Sequence, residues 1–440
     1  MKSIVDVKNG ELYYCGLNLK SVATKYGTPL KITFLDLIKE RAITLKSCFN
    51  EAIKSLNYQG KFIYLNANKA NYGIKEIEAS FTESDGLETS SYYDLLLTRE
   101  LFIKHKTVKT KIILSNGYKE QNYLDGIIKL KKEGFNIVDI IDSVNEYEYL
   151  KSKNVALKVG LRIHLSAKYI EDGEIVKNDR FGLTKAEFDY ILNDIKNTKL
   201  TPTIVHFHQR GFDYEKAKFR ENFEEAFKAY AEASKIYSSI VDFDMGGGTP
   251  LPSDSDFDYE TWTLNVIKFL KELSLKYNVK EPNLISENGK YAQKDATINI
   301  YKVIGKKDTD EKEWNIVDGS PLIAMPEMYA LGEEIIVRCV NGLDQPTKKG
   351  YIAGLTCDCD DIYYDKSKGY FDIPNIKEDL YIALLGTGSY QNSMNGKGGV
   401  HHCLLPEEKD LLVYNEKGKI KEEIRHDLQS FDEIMKIAKL

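Results

Sequence analysis

Lys61-Phe62-Ile63-Tyr64-Leu65-Asn66-Ala67-Asn68-Lys69-Ala70-Asn71 is a short apolar strand that runs into a polar turn carrying a lysine. Ahead of it, residues 36–58 place Leu37, Ile38, Ala42, Leu45, Phe49, Ile53 and Leu56 at helical spacing, with Asp36 positioned to cap the start. The same alternation recurs down the chain. Further strands are expected at 85–89, 111–115, 137–142, 157–164, 203–208, 241–246 and 283–287. Helical segments such as 121–133, 144–152, 185–195, 214–237 and 258–277 lie between them. Regular βα alternation predicts a parallel sheet in an α/β chain, and eight units predict a closed (β/α)8 barrel over residues 36–290. An open doubly wound sheet is the structural alternative.

After residue 290 the texture changes. Thr297–Ile304, Glu334–Val340 and Lys409–Tyr414 read as strands between polar turns, and 429–440 reads as a helix. This predicts a second, mostly β domain of sandwich or barrel type over 291–440, joined by residues 1–35, whose Leu12–Cys15 is extended. A chain of 440 residues is too long for one ordinary core, so two domains are expected on length as well. Basic residues number 61 and acidic ones 67, well mixed, which argues against a nucleic-acid partner. The start, Met1-Lys2-Ser3-Ile4-Val5-Asp6, lacks an apolar signal core, and no stretch is apolar and long enough to span a bilayer, so a cytoplasmic location is expected. Six scattered cysteines do not form a disulfide framework in a chain this large.

The chemistry-bearing residues fall at the C-terminal ends of the expected strands, where barrel enzymes build their sites. Lys69 follows the first strand, and an amine there can form a Schiff base with an aldehyde cofactor. His208 ends the sixth strand, where a flat imidazole can stack on an aromatic ring. Gly246-Gly247-Gly248 ends the seventh, and its unencumbered N–H groups can wrap a phosphate; Gly386-Thr-Gly-Ser-Tyr390 is a second candidate. Glu287 ends the eighth, where a carboxylate can favour a protonated pyridine nitrogen and make the ring an electron sink. In Thr356-Cys357-Asp358-Cys359-Asp360-Asp361, the Cys357 thiol can return a proton to a carbanion. Asp358, with Asp361 nearby, can grip a cation. These are the parts needed to hold pyridoxal phosphate and act on an amino acid bound to it. Each also has a bland reading: a surface lysine, a core histidine, an ordinary glycine turn, a salt-bridged glutamate. Metal readings lack partners at usual spacing. No carboxylate near His206 and His208 completes a ligand set, and no second Cys or His pair completes Cys357–Asp361.

Five segments carry a resemblance that spans nearly the whole chain. Gly86-Leu-Glu-Thr-Ser-Ser91, Ile113-Leu-Ser-Asn-Gly-Tyr-Lys119, Met325-Pro-Glu-Met-Tyr329, Leu355-Thr-Cys-Asp-Cys-Asp360 and Gly388-Ser-Tyr-Gln391 resemble the fold-type III, alanine racemase-like, pyridoxal phosphate-dependent decarboxylases of basic amino acids. The likeness is strongest to the biosynthetic arginine decarboxylases. The resemblance implies that Lys69 carries the cofactor, His208 stacks on it, Glu287 meets its nitrogen, and Gly246, Gly247, Gly248 and Tyr390 hold its phosphate. It implies that Cys357 protonates the carbanion and Asp358 binds the side-chain cation, with Asp318 in Val-Asp-Gly-Ser as a second acid. It also implies a homodimer, because in this family Cys357 and Asp358 would face the other protomer's Lys69. Two segments depart from the pattern. His208-Gln209-Arg210-Gly211 replaces His-Ile-Gly-Ser and lacks a hydroxyl, and Glu287-Asn288-Gly289-Lys290 replaces Glu-Pro-Gly-Arg, so a bidentate arginine becomes a point charge.

Charge orders the substrates. Diaminopimelate decarboxylases carry an arginine for the distal carboxylate, and here that position is Met325. Acid without arginine favours a cationic tail, so L-arginine, giving agmatine for polyamine biosynthesis, is the expected substrate. Lysine, ornithine, carboxynorspermidine and diaminopimelate are the alternatives within the family. A pyridoxal phosphate racemase and a silent partner-binding homologue are the alternatives outside it.

Overall fold

The computed structural model describes residues 4–165, 170–171, 174–175, 180–209, 217–251 and 257–439. They divide into two compact units, Lys39–Tyr291 and Met1–Ile38 with Ala292–Leu440.

The first unit is a closed barrel of eight parallel strands. They are β1 (Phe62–Ala67), β2 (Gly86–Thr89), β3 (Ile112–Ser115), β4 (Ile137–Ile141), β5 (Leu157–Arg162), β6 (Leu200–His206), β7 (Asp242–Asp244) and β8 (Asn283–Asn288). Closure comes from pairing β8 with β1, Leu284 opposite Phe62 through Asn288 opposite Asn66. The open-sheet alternative is therefore excluded. Branched aliphatic side chains fill the lumen, with Leu65, Leu114, Val138, Ile140, Ile204 and Ile285 in one cluster. Pro202 cannot donate to a ladder, and the β5–β6 register slips between Pro202 and Ile204.

Helices cover the outside. Leu35–Ser55, Gln121–Lys132, Val144–Ser152, Lys185–Asp194 and Tyr259–Tyr277 match the expected segments to within three residues. Asp36 lies inside the first turn of its helix, not ahead of it, and accepts from the Asn415 amide. Ser143 and Thr184 cap their helices through the amides of Glu146 and Glu187. Helix Ala217–Ile236 begins at the edge of the described residues. Two more helices, Ile74–Phe81 and Tyr92–Lys104, complete the alternation. Tyr92–Lys104 is hard to read as amphipathic because Tyr93, Leu96 and Ile103 face solvent while Leu95 and Leu101 are buried.

The second unit is built on one branched ten-stranded sheet. Leu30–Phe34, buried at every position, runs antiparallel to Thr297–Thr309 and parallel to Lys409–Glu416. The N-terminal segment thus sits in the middle of a sheet made otherwise from residues beyond 296. Glu11–Tyr14 joins a separate three-stranded sheet with Val5–Lys8 and Leu17–Asn18. The tail helix Phe431–Ala438 starts from a Ser430–Glu433 capping box. Met325 lies fully buried in this unit's core with Tyr301, Val317 and Ile352. Among the described residues, no helix is long and apolar enough to cross a membrane.

Candidate active site

Lys69 occupies a tight turn, Asn68–Ala70, directly after β1. Asn68 holds the turn from below, donating to Asp94 Oδ1 at 2.9 Å and to Thr98 Oγ1 at 3.0 Å. The Lys69 ammonium meets Glu88 of β2 at 2.9 Å. The carboxylate is fully buried whereas 42% of the lysine side chain is exposed, so the pair sits at the rim of the barrel with its cation outward. Glu88 Oε1 also accepts from Ser90 Oγ at 2.8 Å and from Asn116 Nδ2 at 3.1 Å.

Asn116 is a bridge. It follows β3, and the same Nδ2 donates to Glu287 Oε1 at 2.7 Å. Glu287, the penultimate residue of β8, is buried, and His206 Nε2 lies 3.6 Å from it. Asp244 at the end of β7 completes the cluster, with one ligand-type atom from each of His206, Asp244 and Glu287 within 4.8 Å of one another. The carboxylates that sequence spacing fails to supply to the histidine pair thus arrive from neighbouring strands. Burial pushes the Glu287 carboxyl up, and the Glu88 charge adds to that; burial and then Glu287 push Asp244 well up. Burial drives His206 well below its ordinary value, with the Arg162 guanidinium adding to it.

His208 lies two residues past the last paired residue of β6, so the strand ends sooner than its apolar pattern indicates. Chain direction persists because the Phe207 amide bonds the Asp244 carbonyl at 3.0 Å. Solvent reaches the His208 ring. The surrounding barrel nonetheless disfavours its charged form, and the Lys69 and Arg162 cations act in the same direction, so its pKa is lowered. Its Nδ1 accepts from the Gly247 amide at 3.2 Å, which fixes the neutral tautomer with the proton on Nε2.

That bond ties the histidine to the glycine turn. Gly246 has φ +67°, and a Cβ there would stand 2.7 Å from His208 Nδ1 and 2.9 Å from the Phe207 carbonyl. At Gly247 a Cβ would stand 2.7 Å from the Glu287 carbonyl. Side chains are therefore excluded by a left-handed backbone and by close approach. Gly289, after Glu287, packs against the Lys69 turn, where a Cβ would meet that of Ala70 at 2.6 Å. Lys290 opens a short helical turn, while Arg210 and Gly211 lie outside the described residues.

The mouth holds more buried polar atoms than its own residues satisfy. Glu88 Oε2, Asn116 Oδ1, Asp244 Oδ2 and both ring nitrogens of His206 have no hydrogen-bond partner. Buried polar atoms are nearly always bonded in folded proteins, so such a concentration marks a place for a polar ligand.

The other expected residues lie in the sheet unit. Cys357 and Asp358 are exposed on the loop 354–361. Asp361 is buried and spends its carboxylate inside that loop, accepting from Ser320 Oγ at 2.9 Å and from the Thr356 amide at 2.7 Å. It braces the turn that presents Cys357. Asp318 accepts from the Lys302 amide at 2.8 Å and from Thr28 Oγ1 at 2.5 Å. Tyr390 takes a left-handed φ of 62°, and the neighbouring Ser389 hydroxyl is buried without a partner. Cys357 Sγ lies 3.4 Å from Cys403 Sγ, so a cysteine from 46 residues further along the chain reaches this loop.

Glu88, Asn116, His206, Asp244 and Cys403 are the residues that reading motifs along the chain does not assign to a site. Glu88 and Asn116 fall within the quoted segments 86–91 and 113–119, which was the only signal for them.

Residues 38–294 match the model of the pyridoxal-dependent decarboxylase family, pyridoxal binding domain. The chain is 24% identical over 316 residues to the biosynthetic arginine decarboxylase 2 of Synechocystis sp., a stretch covering 66% of this chain and 48% of that protein. It spans about half the length of the curated relatives it matches. The crystal structure of the biosynthetic arginine decarboxylase of Campylobacter jejuni superposes with a TM-score of 0.85 at 19% identity, covering 100% of this chain and 89% of that one. That of the diaminopimelate decarboxylase of M. jannaschii gives 0.79 at 19% identity, covering 98% and 97%. These two likenesses establish the shared barrel-and-sheet fold of the alanine racemase-like decarboxylases. With more than half of its length matched by the family model, barrel included, the chain belongs to the pyridoxal-dependent decarboxylase family.

Proposed function

We propose that this chain decarboxylates a basic L-amino acid, with L-arginine to agmatine as its reaction, using the pyridoxal phosphate of its family. The observation that carries the reading is the Lys69–Glu88 pair at the barrel rim, linked through Asn116 to Glu287. An amine and a buried acid stand at two sides of a mouth whose polar atoms are left unsatisfied.

These residues fit the cofactor. Lys69 would hold it through its aldehyde carbon. The Gly246–Gly248 turn, closed to side chains at Gly246 and Gly247, would hold the phosphate with Tyr390 as a further ligand, and to donate there the Gly246 and Gly247 amides would exchange their bonds to Asp244 Oδ1 and His208 Nδ1 for phosphate oxygens. Bound there, the protonated pyridine ring supplies an electron sink for the pair left behind when the α-carboxylate departs as carbon dioxide. Glu287 would meet the ring nitrogen and favour its proton; burial raises this carboxyl, and a cation beside it offsets that rise. His208, neutral, offers an imidazole face without a competing charge. Glu88 anchors the Lys69 amine whenever it is not bonded to the cofactor.

Cys357 delivers a proton from Sγ to the substrate α-carbon, and Asp358 receives the distal cation through charge-assisted hydrogen bonds. Asp318 is the second acid. In the homodimer that completes this site, Cys357 and Asp358 serve the partner's Lys69. Met325, uncharged and buried at the position where an arginine would meet a distal carboxylate, supports a cationic tail over diaminopimelate.

Carbon dioxide release from the cofactor-loaded protein, given L-arginine, L-lysine, L-ornithine and meso-diaminopimelate in parallel, tests the reading. Release from arginine above all others is expected. Release from diaminopimelate alone overturns the charge argument, and silence on all four overturns the activity.

A further inference from the structure

The loop that carries Cys357 meets a second cluster of donors from the other end of the sheet unit. Cys403 Sγ lies 3.4 Å from Cys357 Sγ and accepts from the Cys357 amide at 3.5 Å. The adjacent His402 turns its Nε2 toward Asp358 Oδ2, 3.7 Å away. One ligand-type atom each from Cys357, His402 and Cys403 lie within 4.8 Å of one another. Cys403 and Leu404 both take left-handed backbone, with φ 56° and 54°. Two such residues in succession are uncommon outside glycine, and here they turn the chain so that the thiol faces Cys357.

We propose that Cys357, Cys403 and His402 bind a thiophilic divalent cation of the zinc type, with Asp358, whose Oδ2 lies 3.7 Å from His402 Nε2, turning in as fourth ligand. Two thiolates, an imidazole and a carboxylate are the donors such an ion takes, in tetrahedral order, and metal–sulfur bonds of about 2.3 Å put two sulfurs a little under 4 Å apart. The observed pair needs only to open by a fraction of an ångström. Hard cations such as magnesium and calcium do not compete for a sulfur-rich set. Binding releases one proton from each thiol to solvent and changes no oxidation state. The Asp360 amide already bonds Asp358 Oδ1 at 2.9 Å, which leaves Oδ2 on the His402 side.

The consequence rests on the function proposed above. A cation on Cys357 removes the proton that thiol would deliver and holds Asp358 away from the substrate cation. Zinc is therefore a reversible inhibitor whose site is built into the loop of the proton donor.

The test uses full-length, cofactor-loaded protein, stripped of metal and reduced with a phosphine. Cobalt(II), and then zinc(II) to displace it, is titrated while absorbance is followed. The wild type should take up one cobalt per chain, with sulfur-to-cobalt charge-transfer and tetrahedral d–d bands. Cys403→Ser should keep its metal-free carbon dioxide release, lose much of the charge-transfer band, and escape inhibition at zinc concentrations that stop the wild type. His402→Ala should weaken cobalt binding by at least the roughly tenfold that loss of an outer-shell partner costs. A wild type without the charge-transfer band overturns the site, as does a Cys403→Ser protein that binds cobalt unchanged. A pair that a small-molecule disulfide links covalently, and that takes no cobalt when reduced, overturns it too. Cobalt binding without loss of carbon dioxide release keeps the metal site and overturns Cys357 as proton donor. A protein inactive on every substrate overturns the function, while the cobalt bands still decide the site.

Discussion

Replacing Asn116 with Ala probes the buried centre of the barrel mouth without touching any group that meets substrate. The Asn116 Nδ2 serves two acids, Glu287 at 2.7 Å and Glu88 at 3.1 Å. Glu88 keeps Lys69 and Ser90 when Asn116 goes, and Glu287 keeps Asp244 and, at 3.6 Å, His206. Hydrogen bonds to charged acceptors contribute about 1.5–3 kcal/mol each, so losing both costs roughly 3–6 kcal/mol. Removing the amide also removes its unpartnered Oδ1, which relieves about 1–3 kcal/mol. At the middle of both ranges the net loss in the cofactor-free protein at pH 8 is about 2.5 kcal/mol.

That loss should depend on pH in a stated direction. The folded pKa of Glu287 is raised, so its contribution is fully present below its unfolded value of about 4.3 and falls as pH rises toward the folded value. Removing its donor raises the folded value further, by one unit for each 1.4 kcal/mol or so of lost bond. As pH falls toward the unfolded value, Glu287 takes up its proton in both proteins, so its share of the penalty, about half, should be smaller at pH 5 than at pH 8. Urea unfolding of both proteins at pH 5 and pH 8 measures this. A loss equal at the two pH values, or under about 0.5 kcal/mol at pH 8, would refute the picture of Asn116 as the bridge between buried carboxylates.

Three further outcomes are expected. Lys69→Ala should abolish turnover and the visible absorbance of the cofactor-loaded protein; an unchanged rate would remove Lys69 from the site. Gly246→Ala forces a side chain into left-handed backbone at about 1–2 kcal/mol and against the Phe207 carbonyl, so cofactor titration should show weaker binding, and equal affinity would argue against the turn as phosphate cradle. Lys119→Met strands Asp139 and Glu146, which lie 3.3 and 2.8 Å from a fully buried ammonium; the loss should be about 3–5 kcal/mol in urea unfolding at pH 7, and a neutral effect would mean that the two acids are not both charged.

Most of the barrel was legible along the chain because its signals are local. All eight strands and six of the helices follow from which residues alternate and which recur every third or fourth position, while Ile74–Phe81 and Tyr92–Lys104 are not read that way. The errors lie at element ends, where long-range pairing decides. The pattern 203–208 reads as strand, but the strand spans Leu200–His206, since Phe207 keeps a single bond to the end of β7 and His208 faces the glycine turn.

By itself the sequence determined the order of elements, the positions of Lys69, His208, Gly246–Gly248 and Glu287 after successive strands, and the family likeness. These depend on neighbours within a few residues, and any folded form of the chain would keep them. Only the tertiary structure decided that β8 closes on β1, and hence that Glu287 shares one amide with Glu88 of β2. It also decided that Asp244 and Glu287 gather at His206, and that Cys403 lies against Cys357 across 46 residues of chain. Hydrogen bonding and charge act through distance in space, and a closed barrel sets distances that spacing along the chain does not contain.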